Sequence, residues 1–576
     1  MKTTQYLKAI IIVLLCPFTD VRAQLSTNEK PVSFGKESEL SLKSRSTNAI
    51  VTMPSLDVAK LKMEDIEDEE FDVPPRFGYP HRVSYNMDNS GIWYELPNGD
   101  KLWQLEIICP NSLSVNVCYD KFWIPDGGKF FIFSKDKTHS IGAFTYKNNK
   151  GDSLNIRGFA TGLIYGNDII LEYYQAKDVS ADAIISIEYI VHGYKYISIG
   201  NKFLGDSGDC QVNVNCDEGQ NWQNEKKAVA LMLVNGYRYC TGSLINTTDL
   251  SQKPYLLTAN HCLGGGANYN HQYDANTSPN LDHYSFYWNY ETPGCLNTNI
   301  EPTHYSTSGA TVLANNSISD FALLRLAEDP KDIPSYIPYY LGWDHSGNCG
   351  VPGVCIHHPR GDVKKISSVA TQPVSTSYLS YIESINANHW KVTWKPTQNG
   401  YGTTEGGSSG SPLLTANHKV IGQLHGGYAN CGDSITAPDW YGKFDVSWTG
   451  NNNSSTLRRL DCWLDSLNTG YATLEGLLII SSSITMNSEQ QLYCNIHITG
   501  TGQLTVLDNI ELMGYSRVVV ESDGKLVVDG GTLSNVDLVL TPGASLKIIN
   551  GGYLKTRNGF KAPVGAKVVI ENGKLE

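Results

Sequence analysis

Gly406-Gly-Ser-Ser-Gly-Ser-Pro-Leu413 is the stretch of this sequence that decides the fold. Two strings upstream belong with it, Leu257-Thr-Ala-Asn-His-Cys262 and Ser317-Ile-Ser-Asp-Phe-Ala-Leu-Leu-Arg-Leu326. Each string alone has an ordinary explanation, as a flexible loop, a core histidine or a turn before a strand. Their order and spacing make the combination specific, because together they supply a serine, a histidine and an aspartate.

These three residue types suit acyl transfer. A nucleophilic serine needs a base for its proton, a carboxylate that holds the imidazole in one tautomer, and donors for the oxyanion. His261 can be the base, Asp320 the carboxylate and Ser409 the nucleophile. The flanking glycines permit a sharp turn, so that the backbone amides of Gly407 and Ser409 can form the oxyanion hole. The spacing predicts an all-β, two-barrel hydrolase with these residues between the barrels.

The composition excludes several other classes of protein. The chain has 576 residues, with 45 basic and 58 acidic side chains and a formal net charge of −13. This acidic balance argues against nucleic acid as a partner. A hydrophobic content of 41% and a charged content of 18% argue against disorder. No apolar run reaches the roughly 18 residues of a membrane span, so none is predicted.

The first residues have the pattern of an export signal. A short basic start precedes the apolar run at 9–16, and Ala23 supplies a small residue for cleavage. We therefore expect a signal peptide over residues 1–23 and a secreted protein, either extracellular, periplasmic or at the cell surface. A buried N-terminal helix and lipidation at Cys16 are the less favoured alternatives.

The rest of the chain divides into three parts. Residues 24–204 begin with a polar stretch whose acidic end, 64–72, is expected to be a solvated arm. From about 90 to 195, alternating strands between Gly and Asn-Gly turns predict a small β-sandwich. Residues 205–477 again have the pattern of many short strands, with helical spacing only at 455–464. We expect an all-β barrel domain there that closes with a helix.

The third part, residues 478–576, contains a repeat of about 20 residues. A glycine precedes each short strand, at Gly502, Gly524, Gly543 and Gly565. A fixed period with β-forming residues predicts either a stacked β-solenoid or a small repetitive sandwich. The repeat has no cluster of histidine, cysteine or acidic residues, so we assign it no chemistry.

The segment from Gly205 to about Leu477 resembles the bacterial lysyl endopeptidases, a branch of the chymotrypsin-like serine proteases. The resemblance extends beyond the three strings to Cys240-Thr-Gly-Ser-Leu, Trp288-Asn-Tyr, Gly342-Trp-Asp, Ile356-His-His-Pro, Gly422-Gln-Leu-His-Gly-Gly427, Tyr441-Gly-Lys-Phe and Trp463-Leu-Asp465. It implies a chymotrypsin-like protease domain of two β-barrels that hydrolyses peptide bonds on the carboxyl side of lysine. We expect no cofactor, and the lack of a paired C-x-x-C spacing argues against a metal site.

The resemblance also implies disulfide bridges, one of which would pin the segment that carries His261. The implied bridges are Cys210–Cys431, Cys216–Cys295 and Cys240–Cys262. Of the 13 cysteines, all but Cys16 lie beyond the predicted signal, and an even number of them in an oxidising compartment permits up to six bridges. The further pairs expected are Cys109–Cys118, Cys349–Cys355 and Cys462–Cys494.

The specificity pocket must hold a counter-charge, because an unpaired buried ammonium is costly. Trypsin-like enzymes place an acid shortly before the nucleophile, where this chain has Thr403. The lysyl endopeptidases place it on a later loop, and Asp439 in Pro438-Asp-Trp-Tyr-Gly442 matches that position. Glu405 is a rival acid that the family pattern treats as structural. The sequence leaves open whether arginine is accepted as well as lysine.

Three further histidines attract attention. His425 matches a family residue that stacks with a tryptophan beside the catalytic histidine, so it is expected at the substrate-binding site. Tyr381 falls near the position of that tryptophan. His357 and His358 could indicate a metal site, but no acidic residue lies at ligand spacing, so we expect a structural role at a strand end.

The segment 24–204 weakly resembles the propeptides of the same proteases. The expected partners are therefore protein or peptide substrates, and the chain's own propeptide as an intramolecular inhibitor or chaperone. Cleavage is expected between Lys202 and Gly205. Pancreatic-type enzymes pair the new amino terminus with an Asp directly before the nucleophile. Here that residue is Ser408, so no such ion pair is expected.

Two alternatives use the same residues. The pocket could accept arginine and lysine equally, or the protease fold could serve as a secreted adhesin without catalysis. The intact set of His261, Asp320 and Ser409 favours an enzyme over an adhesin.

Overall fold

A computed structural model describes residues 29–35, 49–68, 73–195, 207–263, 281–298, 301–333, 336–432 and 435–576. The predicted signal peptide at 1–23 and the predicted cleavage site between Lys202 and Gly205 lie outside these ranges. None of the helices within the ranges is long and apolar enough to cross a membrane.

The N-terminal part is a sandwich of two sheets, with a six-stranded and a five-stranded layer. Phenylalanine and isoleucine side chains from both sheets form a shared buried core. One helix, α1 (Val58–Asp68), precedes most of the strands. The strands are β1 Ile50–Thr52, β2 Gly78–Asn86, β3 Ile92–Glu95, β4 Lys101–Ile108, β5 Ser114–Trp123, β6 Gly128–Ser134, β7 Ser140–Phe144, β8 Phe159–Ala160, β9 Ile164–Tyr165, β10 Asp168–Gln175 and β11 Ile184–Gly193.

The expectation of a solvated acidic arm at 64–72 is wrong for its described part. Residues up to Asp68 belong to α1, which buries Leu61 and Asp65. Asp65 forms ion pairs with Arg76, at 2.8 Å, and with Lys195, at 2.8 Å. The acidic side chain is buried because later basic residues neutralise it, and local composition does not reveal such long-range partners.

The middle of the chain forms two β-barrels of mainly antiparallel strands packed side by side, as predicted. The first barrel has the strand order β16-β15-β12-β13-β14-β18-β17, and the second contains β20 to β27. The strands are β12 Val229–Val234, β13 Arg238–Leu244, β14 Tyr255–Ala259, β15 Ser285–Trp288, β16 Tyr305–Ser308, β17 Ala310–Asn316, β18 Phe321–Leu326, β19 Tyr339–Tyr340, β20 Gly342–Asp344, β21 Pro352–His357, β22 Lys365–Ser368, β23 Val374–Thr376, β24 His389–Val392, β25 Pro412–Thr415, β26 Lys419–Gly427 and β27 Asp439–Lys443.

The closing helix is shorter than the sequence pattern indicates. Two short helices follow β27, namely α2 (Phe444–Thr449) and α3 (Asp461–Leu464). Gly450 ends α2 in the left-handed conformation, which favours glycine because it has no Cβ. Of the predicted helical stretch at 455–464, only α3 and a single 3-10 turn at Thr456–Arg458 are helical.

The C-terminal part is a β-solenoid of parallel strands, which decides between the two predicted architectures. Leu504, Leu526 and Leu546 from successive repeats stack in register and are fully buried. The repeat glycines precede these strands, so the period seen in the sequence is one coil of the solenoid. Before the solenoid, β28 (Thr473–Leu474) pairs with β20 of the second barrel. The solenoid strands are β29 Gly476–Ile480, β30 Ser483–Met486, β31 Gln490–Leu492, β32 Cys494–Ile498, β33 Gln503–Val506, β34 Asn509–Leu512, β35 Arg517–Val520, β36 Lys525–Asp529, β37 Thr532–Leu540, β38 Ser545–Ile549, β39 Tyr553–Thr556, β40 Lys567–Glu571 and β41 Lys574–Leu575.

The solenoid and the barrel region share a β-sheet and a buried core. Strand β29 pairs with β19 of the barrel region on one side and with β32 of the solenoid on the other. Gly476 lies against the Tyr339 ring, where a Cβ would come within 2.0 Å of the hydroxyl. The His418 ring stacks between Trp222, at 4.2 Å, and Tyr493, at 4.3 Å. One apolar core therefore runs from the barrels into the solenoid.

Three disulfides form within the described residues, and they are the three that the resemblance implied, Cys210–Cys431, Cys216–Cys295 and Cys240–Cys262. The expectation of three more is wrong, because the other six described cysteines are unbridged. Cys109 faces the sandwich core, whereas Cys118 faces a different cluster shared with the first barrel. Cys118 lies in β5, whose side chains alternate between the two faces of the five-stranded sheet, so it points away from the core that holds Cys109.

We expect that ending the chain after Leu474 will destabilise the barrels. The truncation removes the partner of β19 and the buried side chains of Leu477, Leu478, Ile479 and Ile480. At about 1.5–3 kcal/mol for each side chain, the loss is comparable with the roughly 5–15 kcal/mol stability of a domain. A thermal melt should show the Tm lowered by more than about 10 °C.

A chain ending after Gly551 is the matched control for this truncation. It removes only the last coils, which contact their nearest neighbours, so the barrels should melt within about 2 °C of the full chain. An unchanged Tm in the shorter chain would contradict a shared core.

Candidate active site

Two neighbouring strands of the first barrel position His261 and Asp320. Strands β14 and β18 pair with Ala259 opposite Phe321, so the turns that follow β14 and precede β18 lie side by side. His261 occupies the 3-10 turn Asn260–Leu263, and the Cys240–Cys262 bridge anchors this turn to β13. The strand register therefore brings together two residues that are distant in sequence.

The Asp320 carboxylate binds the His261 imidazole and backbone together. Oδ2 lies 2.7 Å from Nδ1 of His261, and Oδ1 accepts a hydrogen bond of 3.0 Å from the His261 amide. Asp320 is buried and has a φ of +54°, a conformation that Asp tolerates better than most residues. Burial alone would raise its pKa, but His425 and His261 hold the pKa below the usual value. The ionised carboxylate thus keeps a proton on Nδ1 of His261 and leaves Nε2 toward the cleft.

The loop before β25 presents Ser409 between the two barrels. The Ser409 carbonyl accepts a hydrogen bond of 2.8 Å from the Thr241 amide in β13. Gly410 has a φ of +84° and packs so closely on Thr258 that a Cβ would come within 2.2 Å of its hydroxyl. Glycine is required here because a side chain would push the serine loop away from the first barrel. Ser409 and His261 line the same cavity.

The same loop orients two backbone amides. The carbonyls of Gly406 and Ser408 each accept a backbone hydrogen bond, of 2.6 and 3.0 Å. In a trans peptide the N–H points away from the C=O, so the amides of Gly407 and Ser409 point toward the other side of the loop. Gly407 has a φ of +98°, which again favours glycine. This loop geometry is compatible with the oxyanion role predicted for the two amides.

A cavity of about 370 Å³ joins Ser409 to Asp439. Asp439 begins β27 and is 1% exposed. Its Oδ2 accepts hydrogen bonds from Trp394 Nε1, at 2.7 Å, and Thr404 Oγ1, at 2.6 Å. Its Oδ1 accepts one from the Ala429 amide, at 3.2 Å. The carboxyl group is therefore held rigidly at one position in the cavity.

Asp439 has no basic partner among the residues that the structure describes. Burial raises its pKa to about 6, and the hydrogen bonds from Thr404 and Trp394 only partly offset this effect. A buried carboxylate without a counter-ion is unfavourable, so a cation that entered the cavity would find a matched site.

Glu405, the rival acid, is committed elsewhere. Oε1 forms an ion pair with Arg360 Nε at 2.9 Å. Oε2 accepts hydrogen bonds from the Gly208 amide, at 2.8 Å, and from Gln211 Nε2, at 3.0 Å. These contacts attach the start of the barrel region to the serine loop and agree with a structural role.

His425 lies beside the His–Asp pair and carries an aromatic stack. Its Nε2 is 3.6 Å from Asp320 Oδ2, and its ring centroid is 5.7 Å from that of His261. The Tyr378 ring stacks on it at 3.6 Å with an interplanar angle of 5°. His389 Nε2 lies 2.9 Å from His425 Nδ1.

The aromatic partner of His425 was misplaced by the sequence reasoning. Tyr378 takes the position that Tyr381 was expected to occupy, and Tyr381 instead packs edge-on against Trp440 at 5.8 Å. The two tyrosines are three residues apart in the loop between β23 and β24. Spacing cannot distinguish them there because the loop has no regular period. His389 was missed as well; it lies opposite Gly442 on β27, the strand between β24 and β26.

Two sets of described residues have metal-ligating atoms within 4.8 Å of one another. One set contains Cys240 and Cys262, whose sulfurs are bridged to each other and cannot act as thiolate ligands. The other is His261, Asp320 and His425, in which the Asp320 oxygen already binds His261. Neither set includes His357 or His358, which are both buried in the second barrel.

The two barrels, with a His–Asp pair and a glycine-rich serine loop between them, define a chymotrypsin-like protease domain. Residues 204–442 match the family described as "Lysyl endopeptidase, C-terminal domain". The lysyl endopeptidase of Pseudomonas aeruginosa is 30% identical over 242 residues, covering 40% of this chain and 47% of that protein. The middle segment is therefore similar to the lysyl endopeptidases, as its motifs predicted, and the chain spans about half the length of this curated relative.

Solved protease structures also align with part of the chain. An inactive mutant of Rv3671c from M. tuberculosis H37Rv is 14% identical and has a TM-score of 0.25, covering 43% of this chain and 91% of that one. The HtrA-type protease AlgW with a tripeptide is 13% identical and has a TM-score of 0.27, covering 41% and 62%. Likenesses at these TM-scores support no inference about function.

The raised pKa of Asp439 predicts how binding of a small organic cation depends on pH. The carboxylate is the form that attracts a cation; it is present above pH 6 and is lost as the pH falls through that value. The Kd of butylammonium should therefore be constant near pH 8 and rise about tenfold for each pH unit below 6. A calorimetric or NMR titration measures this dependence.

Two comparisons test whether Asp439 is the responsible group. The neutral isostere butanol should show no such pH dependence, and Asp439→Asn should remove it for butylammonium. Glu405→Gln should keep it. If Glu405→Gln removed the dependence and Asp439→Asn did not, the cation site would be misassigned.

Proposed function

We propose that this chain is a secreted serine endopeptidase that cuts peptide bonds on the carboxyl side of lysine. The main support is the buried Asp439 carboxylate, which has no basic partner and shares one cavity with Ser409 and His261. The family of the middle segment agrees with this chemistry.

In the first half of the reaction, Ser409 attacks the carbonyl carbon of the scissile bond. His261 Nε2 takes the hydroxyl proton, and Asp320 stabilises the resulting imidazolium through Nδ1. The amides of Gly407 and Ser409 donate to the oxyanion as it forms. His261 then gives its proton to the leaving amine, the C–N bond breaks, and an acyl-enzyme ester remains on Ser409.

In the second half, water replaces the amine. His261 accepts a proton from the water, whose oxygen attacks the ester carbonyl and forms a second tetrahedral intermediate. The intermediate collapses as His261 returns the proton to Ser409 Oγ. The carboxylic acid product leaves, and the histidine is neutral again.

The edge of β26 can bind the main chain of a substrate. Gly410 and Ser411 pair with Leu424, with hydrogen bonds of 2.8 and 2.9 Å, and the serine loop then turns away. Beyond Leu424, β26 pairs with β27 on one side, while the other side faces the cavity at Gly426. An extended peptide that added to this edge would bring its carbonyl carbon to Ser409.

The hydrogen bonds of Asp439 favour lysine over arginine. Each carboxylate oxygen has about two lone pairs. The carboxylate oxygens already accept hydrogen bonds from Trp394, Thr404 and Ala429, so little acceptor capacity is left for two more parallel hydrogen bonds. A guanidinium binds best with two parallel hydrogen bonds, whereas an ammonium can pair as a point charge through one.

The N-terminal segment lies in the cleft, which supports its role as an inhibitor. The Pro75 carbonyl accepts a hydrogen bond of 3.1 Å from Tyr239, and the Phe77 amide donates to Tyr237 at 2.9 Å. Pro75 also covers Gly406, where a Cβ would come within 2.8 Å of the proline ring. A substrate chain leaving the Ser409 region toward β13 would meet this segment.

A cluster of buried charges holds the segment in place. Asp65 binds Arg76, Lys195 and Tyr194 at 2.8 Å each. Burial would raise the pKa of Asp65, but hydrogen bonds from Lys195, Tyr194 and Arg76 keep it below the usual value. The ion pair between Asp68 and Arg238, at 3.2 Å, connects α1 to the first barrel. These contacts keep the chain latent until the segment is cleaved away.

The proposed function predicts that Ser409→Ala abolishes hydrolysis, with a loss of about 10⁶-fold in turnover. The secreted protein should react with a phosphonylating serine probe, and cleavage sites in a denatured protein mixture should follow lysine. Ser411→Ala is the matched control, because that hydroxyl contacts Cys355 Sγ at 3.2 Å and not the cleft.

Other outcomes would change the assignment. Labelling that persists in Ser409→Ala would place the nucleophile elsewhere. Cleavage after arginine as often as after lysine would refute the selectivity, and absence of both labelling and cleavage in wild type would refute catalysis.

Latency predicts that Arg76→Ala activates the uncleaved chain. Breaking a buried ion pair costs about 3–5 kcal/mol, and about 1.4 kcal/mol corresponds to a tenfold shift, so the closed state should be depopulated by about a hundredfold or more. The rate for a small lysyl ester, measured while mass spectrometry shows an intact chain, should rise accordingly. Arg82→Ala, which breaks an exposed 3.7 Å pair with Glu188, should change little. Equal rates for wild type and Arg76→Ala would contradict the latch.

A further inference from the structure

His357 is a buried histidine that the proposed reaction does not use. It ends β21, close to the serine loop, and is fully buried. Nδ1 lies 2.8 Å from Ser408 Oγ, and Nε2 lies 3.0 Å from Ser367 Oγ. Ser408 directly precedes the nucleophile, so His357 contacts the loop at the residue beside Ser409.

The hydrogen-bond roles in this group are fixed by its two ends. At one end the Thr403 carbonyl can only accept, so Ser367 donates to it at 3.0 Å. Ser367 Oγ must then accept from Nε2–H of His357. Neutral His357 consequently has no proton on Nδ1 and accepts from the Ser408 hydroxyl. At the other end Ser408 Oγ accepts from the Glu405 amide at 3.2 Å.

We propose that His357 is a positioning residue that holds Ser408, and through it the oxyanion amides, by an uncharged chain of hydrogen bonds. The inference rests on the proposed function, because it concerns the same serine loop. These hydrogen bonds take the place of the ion pair of pancreatic-type enzymes, which requires an acid where this protein has Ser408.

The hydrogen bonds of His357 act on the oxyanion amides through the loop backbone. Ser408 lies between Gly407 and Ser409, whose amides are the proposed oxyanion donors. Its carbonyl and its side chain are both bonded, to the Ser411 amide at 3.0 Å and to His357. Rotation of either peptide would break one of these bonds. The donors are therefore fixed before substrate arrives, which is the condition for effective oxyanion stabilisation.

The surroundings of His357 keep its imidazole uncharged. Burial, together with a smaller effect of the nearby Lys365, lowers the pKa of His357 to about 3. Lys365 itself is paired with Asp362 at 3.1 Å. A protonated ring would place N–H groups toward both serine hydroxyls, and Ser408 would lose its acceptor. Neutral His357 is thus the form that the contacts require.

The test separates binding of the transition state from binding of the ground state. In the purified secreted protein, a lysyl peptide aldehyde probes the oxyanion amides, because its hemiacetal oxygen occupies their site, whereas lysine amide probes the Asp439 pocket alone. His357→Leu and Ser408→Ala should each weaken the aldehyde by about 10- to 100-fold and lower kcat in parallel. Binding of lysine amide and KM should change less than about threefold.

Two further variants distinguish positioning from packing. His357→Asn restores an acceptor near the position of Nδ1, and should recover part of the lost kcat. His358→Leu is the matched control, because His358 is equally buried but its Nδ1 contacts the Asp362 carbonyl at 2.8 Å and not Ser408. Its ratio of aldehyde to amide affinity should remain that of wild type.

Each outcome decides for or against the inference. If His357→Leu fails to fold, Ser408→Ala, which removes a single hydroxyl, decides alone. Wild-type kcat and aldehyde affinity in Ser408→Ala would overturn the inference, as would equal weakening of both ligands. A wild-type protein without activity or serine labelling would refute the proposed function itself, and an active wild type with unaffected variants would refute only the role of His357.

Discussion

The contact between the Asp320 carboxylate and His261 is the constraint on which the rest of the cleft depends. It joins two turns at the end of β14 and β18, and it uses one carboxylate oxygen for the imidazole and the other for the backbone. Because the carboxylate is buried and ionised, it can be stable only if both contacts persist. The Cys240–Cys262 bridge and the close packing of Gly410 on Thr258 then fix the serine loop against the same turns.

The sequence was informative where residue type and order carry the chemistry. The His, Asp and Ser strings, the solenoid period and the three bridges depend on short motifs or on matching positions, and the structure brings each of them together. The remaining features depend on contacts between distant segments. Asp65 is buried because Arg76 and Lys195 neutralise it, and no local pattern predicts that. Likewise, no local pattern predicts that Cys109 and Cys118 face different cores.

The N-terminal sandwich and the first barrel share one buried surface. Phe77 and Leu163 of the sandwich pack with Leu231 and Tyr287 of the barrel in a single apolar cluster, and the Leu163 amide donates to the Tyr287 hydroxyl at 2.8 Å. Buried apolar surface of this kind stabilises the folded pair as a unit. The same contacts that would assist folding of the barrel also hold Pro75 over the serine loop, so the proposed roles of chaperone and inhibitor have one structural origin.

The two proposals constrain each other. In an enzyme whose oxyanion hole depends on a freed amino terminus, cleavage itself completes the site, and the uncleaved chain is inactive because its serine loop is disordered. Here the loop is held by His357, Ser367 and the Glu405 amide, none of which belongs to the N-terminal segment. Control cannot then act on the order of the loop and must act on access to it. The position of Pro75 against Gly406 fits the proposed control, because it would obstruct the exit of a substrate chain while the hydrogen bonds of the serine loop stay in place.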